Sequence, residues 1–142
     1  MPYIPFQELC PETAIEETRV ISLFQVENEF NLPTGHYAFV ELFCNECDCK
    51  RVFLSVFYND KQVATIAYGW ESLAFYKRKF GFWDKHSLHQ LKGPALEYLN
   101  PQTELSPGIL KMFKQLLLTD KAYMARIERH YAEFKTTLKK RL

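Results

Sequence analysis

The fold is decided by the stretch HYAFVELFCNECDCKRVFLSVFYNDKQVATIAY, residues 36–68. It contains three runs rich in aromatic and β-branched residues, at positions 36–43, 51–58 and 62–68, and such runs favour β-strands. In the second run Val52, Leu54 and Val56 alternate with other side chains, so they share one face of a strand. Because only short links separate the runs, we expect consecutive antiparallel strands, that is, a meander.

The sequence on either side adds one strand and several helices. Residues 18–26 form a further strand-like run, so the sheet should have about four strands. Ser72 and the pair Ser106-Pro107 are start signals for two helices. A last helix should start at Thr119-Asp120. Its inner face is predicted from apolar side chains that recur every three or four residues: Tyr123, Ile127, His130 or Tyr131, Phe134 and Leu138.

These elements predict a single α+β domain of residues 1–142, with the helices following the sheet and packing on one of its faces. Residues 1–17, with three prolines among the first eleven positions, are predicted to be an extended N-terminal arm. Residues 18–70 should form the antiparallel sheet with its cysteine-bearing hairpin. Residues 71–142 should be mainly helical, with three or so helices.

Composition and charge point to a cytoplasmic protein with reduced thiols. The sequence has no apolar run of the length that a membrane span needs, and its beginning lacks the basic-then-apolar order of an export signal. Cysteines in such a compartment are kept reduced, so a disulfide framework is not expected. The formal net charge of +1 does not by itself favour a nucleic acid or a membrane as partner.

Three of the four cysteines, Cys44, Cys47 and Cys49, lie within six residues at the predicted hairpin end. Cysteines with two residues between them in a chain reversal, as Cys44 and Cys47 have, commonly supply two ligands of a structural zinc ion. Cys49 can close on the same ion once the chain has turned back. The sequence therefore predicts one zinc ion bound at this end of the sheet.

A structural zinc ion needs a fourth ligand, and the sequence offers two candidates. His130 lies on or beside the inner face of the last helix, where a histidine without a polar partner would be costly to bury. Cys10 in the N-terminal arm would complete a site of four thiolates. We expect His130, with Cys10 as the alternative.

Two other readings of the cluster remain open. Cys44 with Cys47 or Cys49 would serve as a thiol-based redox sensor, although the flanking strands lack the helix N-terminus that lowers a thiol pKa in thioredoxin-type pairs. The three thiols would otherwise be unliganded in a surface loop, where reactive thiols are a liability.

One carboxylate also needs a partner. Glu41 shares its predicted strand face with Tyr37, Phe39 and Phe43, so it should pair with a cation. We expect Arg19 or Arg51, from across the sheet.

Several stretches resemble a family of uncharacterised bacterial proteins that carry a cysteine cluster of the form C-x(n)-C-D-C-[KR]-R at a β-hairpin. The likeness rests on YAFVE at 37–41, on Cys44, Cys47 and CDCKRV at 47–52, and on ATIAYGW at 64–70. LKGP at 91–94, NPQ at 100–102 and RHY at 129–131 complete it. The resemblance implies that the cluster is a hallmark of the family and implies no substrate.

The sequence favours a binding or interaction module over an enzyme, because it contains no phosphate-binding glycine loop, nucleophile elbow or metalloprotease signature. The partner, a protein or a ligand, is not specified by the sequence, and neither is the oligomeric state. A nucleic-acid-binding module that uses the basic residues 135–141 is a less favoured alternative, since the net charge is near zero.

Overall fold

The structure, a computed structural model, describes residues 3–81 and 84–141. In this part of the chain it has an α+β architecture with six strands and six helices. The strands are β1 (Tyr3–Pro5), β2 (Arg19–Leu23), β3 (Gly35–Cys44), β4 (Arg51–Tyr58), β5 (Lys61–Gly69) and β6 (Ala95–Leu96). The predicted α+β class is confirmed, and the predicted count of about four strands is two short.

All the strand pairs are antiparallel, and β2 to β5 follow one another as the predicted meander. The sheet has the order β1-β3-β4-β5-β6, and β2 also pairs with β3. β1 and β2 therefore share the outer edge of β3: β1 lies beside Leu42–Cys44 and β2 beside Gly35–Phe39. The two extra strands, β1 and β6, have three and two residues, which is too short for a period-2 pattern to mark them in the sequence.

The register of the strands places apolar side chains from β3, β4 and β5 on one face of the sheet. Phe39 pairs with Val56, which pairs with Ala64, and all three side chains are buried. Since side chains alternate between the faces of a strand, this pairing also places Glu41 on the same buried face. The predicted sharing of a face by Glu41 and its aromatic neighbours is thus confirmed.

The helices are α1 (Phe6–Leu9), α2 (Pro11–Glu17), α3 (Leu73–Phe80), α4 (Lys85–Lys92), α5 (Ser106–Met112) and α6 (Lys121–Lys140). Ser72, Asp84 and Asp120 cap α3, α4 and α6, each accepting a hydrogen bond from the backbone N–H three residues ahead. In α6 the buried side chains include Tyr123, Ile127 and Phe134, as the apolar spacing predicts. None of the helices in the described ranges combines the length and the apolarity that a bilayer crossing requires.

The N-terminal segment differs from the predicted extended arm. Residues 3–17 form β1, α1 and α2, while Met1 and Pro2 lie outside the described residues. Pro11 stands in the first turn of α2, where a missing N–H leaves no hydrogen bond unmade. Phe6 and Ala14 are buried against the core. The prolines therefore mark the borders of short elements here and do not extend the chain.

Helix α5 ends in a wider turn that fills the centre of the core. The chain continues from Met112 as a π-helical turn, Phe113–Leu117, with a hydrogen bond from the N–H of Leu118 to the carbonyl of Phe113. The ring of Phe113 lies 6.5 Å from that of Phe39 and 5.9 Å from that of Tyr68. This turn thus packs the helical layer onto the middle of the sheet.

We predict that Phe113→Ala lowers the free energy of unfolding by about 3–5 kcal/mol, because it leaves a cavity under the sheet. Leu116→Ala, in the same turn, is the matched control: Leu116 is 42% exposed, and its loss should cost about 1 kcal/mol or less. Urea unfolding of the two variants measures the difference. Equal losses would contradict the assignment of Phe113 to the core.

Candidate metal centre

The cysteines lie where β3 ends and β4 begins. Cys44 is the last residue of β3, and residues 45–50 form an irregular loop to Arg51, the first residue of β4. Lys50 turns the chain with a φ of 51°, a left-handed value. A loop of this kind has no regular backbone ladder, so its shape depends on side chains that reach it from other elements.

Two α6 side chains hold the loop. The ammonium group of Lys135 donates to the carbonyl oxygens of Cys44 and Cys47, at 2.6 Å each. The hydroxyl of Tyr131 donates to Asp48 Oδ1 at 2.5 Å and accepts from the N–H of Lys50 at 3.1 Å. Because Tyr131 and Lys135 are four residues apart, they project from neighbouring turns of one helix face. The thiols are therefore positioned relative to α6 as well as to the sheet.

The hydroxyl groups of two further tyrosines complete the surroundings. Tyr76 of α3 donates to the carbonyl oxygen of Lys50 at 2.7 Å. The hydroxyl of Tyr3 in β1 lies 3.9 Å from Cys49 Sγ and accepts from Arg51 Nη1 at 3.1 Å. Arg51 donates its hydrogen bond to the oxygen of the Tyr3 hydroxyl, so the proton of that hydroxyl can point at Cys49. Such outer partners orient the ligands of a metal site.

The three sulfur atoms are close enough to bind one ion. The Sγ atoms of Cys44, Cys47 and Cys49 all lie within 4.8 Å of one another, and those of Cys44 and Cys47 are 3.3 Å apart. Tetrahedral zinc with bonds of about 2.3 Å to sulfur separates its sulfur ligands by about 3.8 Å. The cluster predicted from spacing is thus assembled in the structure, in a geometry that can hold a metal ion.

The surroundings shift the pKa values of the Cys44 and Cys47 thiols in opposite directions. Burial raises the pKa of Cys44, but hydrogen bonds from the N–H groups of Glu46 and Cys47, a hydrogen bond with the Cys47 thiol and the charge of Lys135 together lower it overall. Burial and the neighbouring thiols raise the pKa of Cys47 to about 12. A metal ion must therefore displace a firmly held proton from Cys47, so metal affinity should rise with pH.

The structure does not bring His130 to the cysteines. Its Nδ1 lies 2.7 Å from Glu41 Oε1 and its Nε2 lies 2.8 Å from Glu17 Oε1, so both ring nitrogens are engaged. Ionised carboxylates only accept, so with Glu17 and Glu41 both ionised the two ring nitrogens both donate, and the raised pKa of His130 favours this charged ring. In this arrangement His130 has no free lone pair for a metal. The polar partner that its burial required is a pair of carboxylates.

The expected partner of Glu41 is corrected in the same way. Arg19 lies beside Asp120, and Arg51 donates to Tyr3 and to the carbonyl of Leu91, so neither reaches Glu41. The cation that meets the buried carboxylate is His130, which comes from 89 residues further along the chain. Nothing in the local sequence signals that contact.

Cys10 also lies apart from the cluster. Its sulfur is 3.6 Å from Thr137 Oγ1, and the side chain is buried. Among the described residues, the metal-ligating side chains that lie within 4.8 Å of one another in a group of three or more are Cys44, Cys47 and Cys49 alone. The structure thus assembles three of the predicted ligands and neither candidate for the fourth.

The three members of the Glu17–His130–Glu41 group shift one another's pKa values. Burial lowers the pKa of His130, but hydrogen bonds to Glu41 and Glu17 and their charges outweigh it and raise the pKa overall. Hydrogen bonds from Arg129 and His130 lower the pKa of Glu17 to about 2. Burial raises the pKa of Glu41 despite the opposing effect of His130. The group joins α2, β3 and α6 in one ion network, in which His130 and Glu41 are buried and Glu17 is partly exposed.

Comparison of the chain with protein-family models, with curated proteins and with solved structures gave no match.

The ion network predicts a pH dependence of stability. The raised pKa of His130 contributes stability in full below its unfolded value of about 6.5, and this is lost as pH rises through the folded pKa. The lowered pKa of Glu17 contributes stability above about 4.5, lost as pH falls toward 2. We expect His130→Gln to cost on the order of 3 kcal/mol near pH 6, and less at pH 9.

Melting temperatures between pH 5.5 and 9 test this difference. The matched control is His86→Gln, since His86 is exposed and its loss should leave the pH profile of the native protein unchanged. Parallel profiles for the native protein and His130→Gln would contradict the assignment of a charged His130.

Proposed function

We propose that the protein binds one zinc ion through the thiolates of Cys44, Cys47 and Cys49, and that the ion fixes the hairpin end against α6. The observation that carries this proposal is the approach of three sulfur atoms to within 4.8 Å of one another in a loop already held by Lys135 and Tyr131. Free energy of metal binding at such a site becomes free energy of folding. Zinc is favoured because thiolates at the chain reversal of a hairpin are typical ligands of structural zinc in proteins.

We propose a binding or interaction module in the cytoplasm as the biological role. Three thiolates donate charge to the ion and so make it a weak Lewis acid, which argues against metal-assisted hydrolysis. The partner is a protein or a ligand, and we propose that the chain belongs to the family of uncharacterised bacterial proteins that it resembles, with the cysteine cluster as a hallmark of that family. The nucleic-acid alternative loses Lys135 from its basic segment 135–141, because that ammonium group is engaged at the hairpin carbonyls.

Native mass spectrometry of protein purified without added metal tests the zinc site. We expect one zinc ion in the native protein and none in Cys47→Ser. Cys10→Ser, which removes the cysteine outside the cluster, should keep the ion. A chelator should lower the melting temperature of the native protein by several degrees and leave that of Cys47→Ser unchanged, because the ion binds the folded chain. Metal-free native protein would contradict the proposal.

A thiol-based redox sensor is the second candidate, and the Cys44–Cys47 pair favours it. The two sulfur atoms lie 3.3 Å apart, whereas a disulfide needs about 2.05 Å, so a small shift of the loop joins them. The pKa of Cys44 is lowered and that of Cys47 is raised, which gives one thiol the character of the attacking thiolate. Oxidation would convert the two thiols into one disulfide, with loss of two protons and two electrons to the oxidant.

The two candidates separate under mild oxidation with diamide. The redox reading predicts a mass loss of about two units in the native protein and in Cys10→Ser, restored by a reductant, and no loss in Cys44→Ser. The zinc reading predicts that the loaded protein resists diamide and becomes sensitive once the ion is removed. Equal sensitivity with and without zinc would favour the sensor.

A further inference from the structure

The cluster supplies three ligands, while structural zinc takes four. Within the described residues no fourth metal-ligating side chain joins the group. Both ring nitrogens of His130 face carboxylates, the sulfur of Cys10 lies beside Thr137, and the carboxylate of Asp48 accepts from Tyr131. None of these side chains is therefore placed to supply the fourth ligand.

The exposure of the three cysteines shows from which side a ligand can come. Cys44 is 3% exposed and Cys49 is 1% exposed, whereas Cys47 is partly open to solvent. Beside Cys47 lies a cleft of about 460 Å³ between the hairpin loop and α6. A ligand from outside thus reaches the ion past Cys47, through this cleft.

Charge favours a neutral donor. A divalent ion with three thiolates carries a net charge of −1, and Glu46 and Asp48 on the cleft wall add negative charge. Lys135, on the opposite wall, keeps its positive charge while it donates to the loop carbonyls, and it offsets only part of this negative charge. A fourth thiolate would add another negative charge, whereas a neutral imidazole adds none and is a common ligand beside three thiolates.

The lining of the cleft favours a peptide as the carrier of that imidazole. The walls bear both signs of charge, with Glu46 and Asp48 from the loop and Lys139 from α6, and the apolar side chain of Leu138. The space exceeds what a single imidazole ring fills, and such a mixed lining can contact residues on either side of a histidine.

Resting on the zinc site proposed above, we infer that the ion keeps a fourth coordination position for the imidazole of a histidine in a partner polypeptide, which enters through the cleft beside Cys47. The ion then serves as the docking point of the interaction module. The bond formed is a coordinate bond from the imidazole nitrogen, which replaces a bound water molecule, and no redox step is involved.

Cobalt(II)-loaded full-length protein tests this inference, because its sulfur-to-metal charge-transfer band reports the thiolates and its visible bands respond to the fourth ligand. We expect a saturable change in the visible bands on titration with Gly-His-Gly, and a weaker one with imidazole, while Gly-Ala-Gly has no effect. Equal affinity for imidazole and Gly-His-Gly would overturn the polypeptide source. Unchanged visible bands with both probes would overturn the open position.

A pair of variants locates the binding. Ala132 lines the cleft and is exposed, so Ala132→Trp should fill the cleft. We expect this variant to bind Gly-His-Gly with an affinity at least tenfold lower, while its charge-transfer band is unchanged. Ala125→Trp, two turns earlier on α6 and also exposed, is the matched control and should bind as the native protein does. Equal binding by both variants would overturn the entry route. Failure of cobalt to bind at all would instead refute the metal site itself.

Discussion

The contact of α6 with β3 and the loop that follows it is the constraint on which the site depends. Within six residues of α6, His130 meets the buried Glu41 in the middle of β3, and Tyr131 and Lys135 hold the loop that carries the cysteines. A rotation of this helix that broke one of these contacts would break the others. The position of three thiols is therefore set by a helix that contributes none of them.

The buried carboxylate explains why the N-terminal segment folds onto the body. Glu41 is 5% exposed in an apolar face, so an unpaired charge there would be costly. His130 offsets that cost, and its second nitrogen requires another acceptor, which Glu17 at the end of α2 provides. The ring of Phe6 stacks on the imidazole at 4.5 Å. One charge in the sheet thus orders two helices at the start of the chain.

The sequence predicts what depends on local patterns. The strand runs of residues 36–68 and the apolar spacing of α6 indicate their own elements, and the spacing of Cys44, Cys47 and Cys49 indicates a common site. The prolines of the first 17 residues predict an extended chain, whereas in the structure they border the short helices α1 and α2. The partners of His130 were missed because they lie 89 and 113 residues away. Tyr131 and Lys135 are four residues apart, and this spacing indicates a shared helix face that can contact the cysteine loop. No local pattern in the sequence indicates the contact of Tyr3 with Cys49.

Two sets of contacts anchor α6: the ion network around His130, and the hydrogen bonds of Tyr131 and Lys135 to the cysteine loop. These two anchors respond to different changes in the surroundings of the protein. The Glu17–His130–Glu41 network contains two buried groups, His130 and Glu41, and responds to protons, while the hairpin contacts of Tyr131 and Lys135 adjoin the thiols and respond to whatever binds them. Because His130 and Tyr131 are consecutive residues, neither anchor can change without the same turn of helix taking part. Binding at the cysteines would therefore stabilise the docking of α6, and through His130 it would also stabilise the N-terminal helices, although no His, Cys, Asp or Glu of those helices joins the cluster in the described part of the chain.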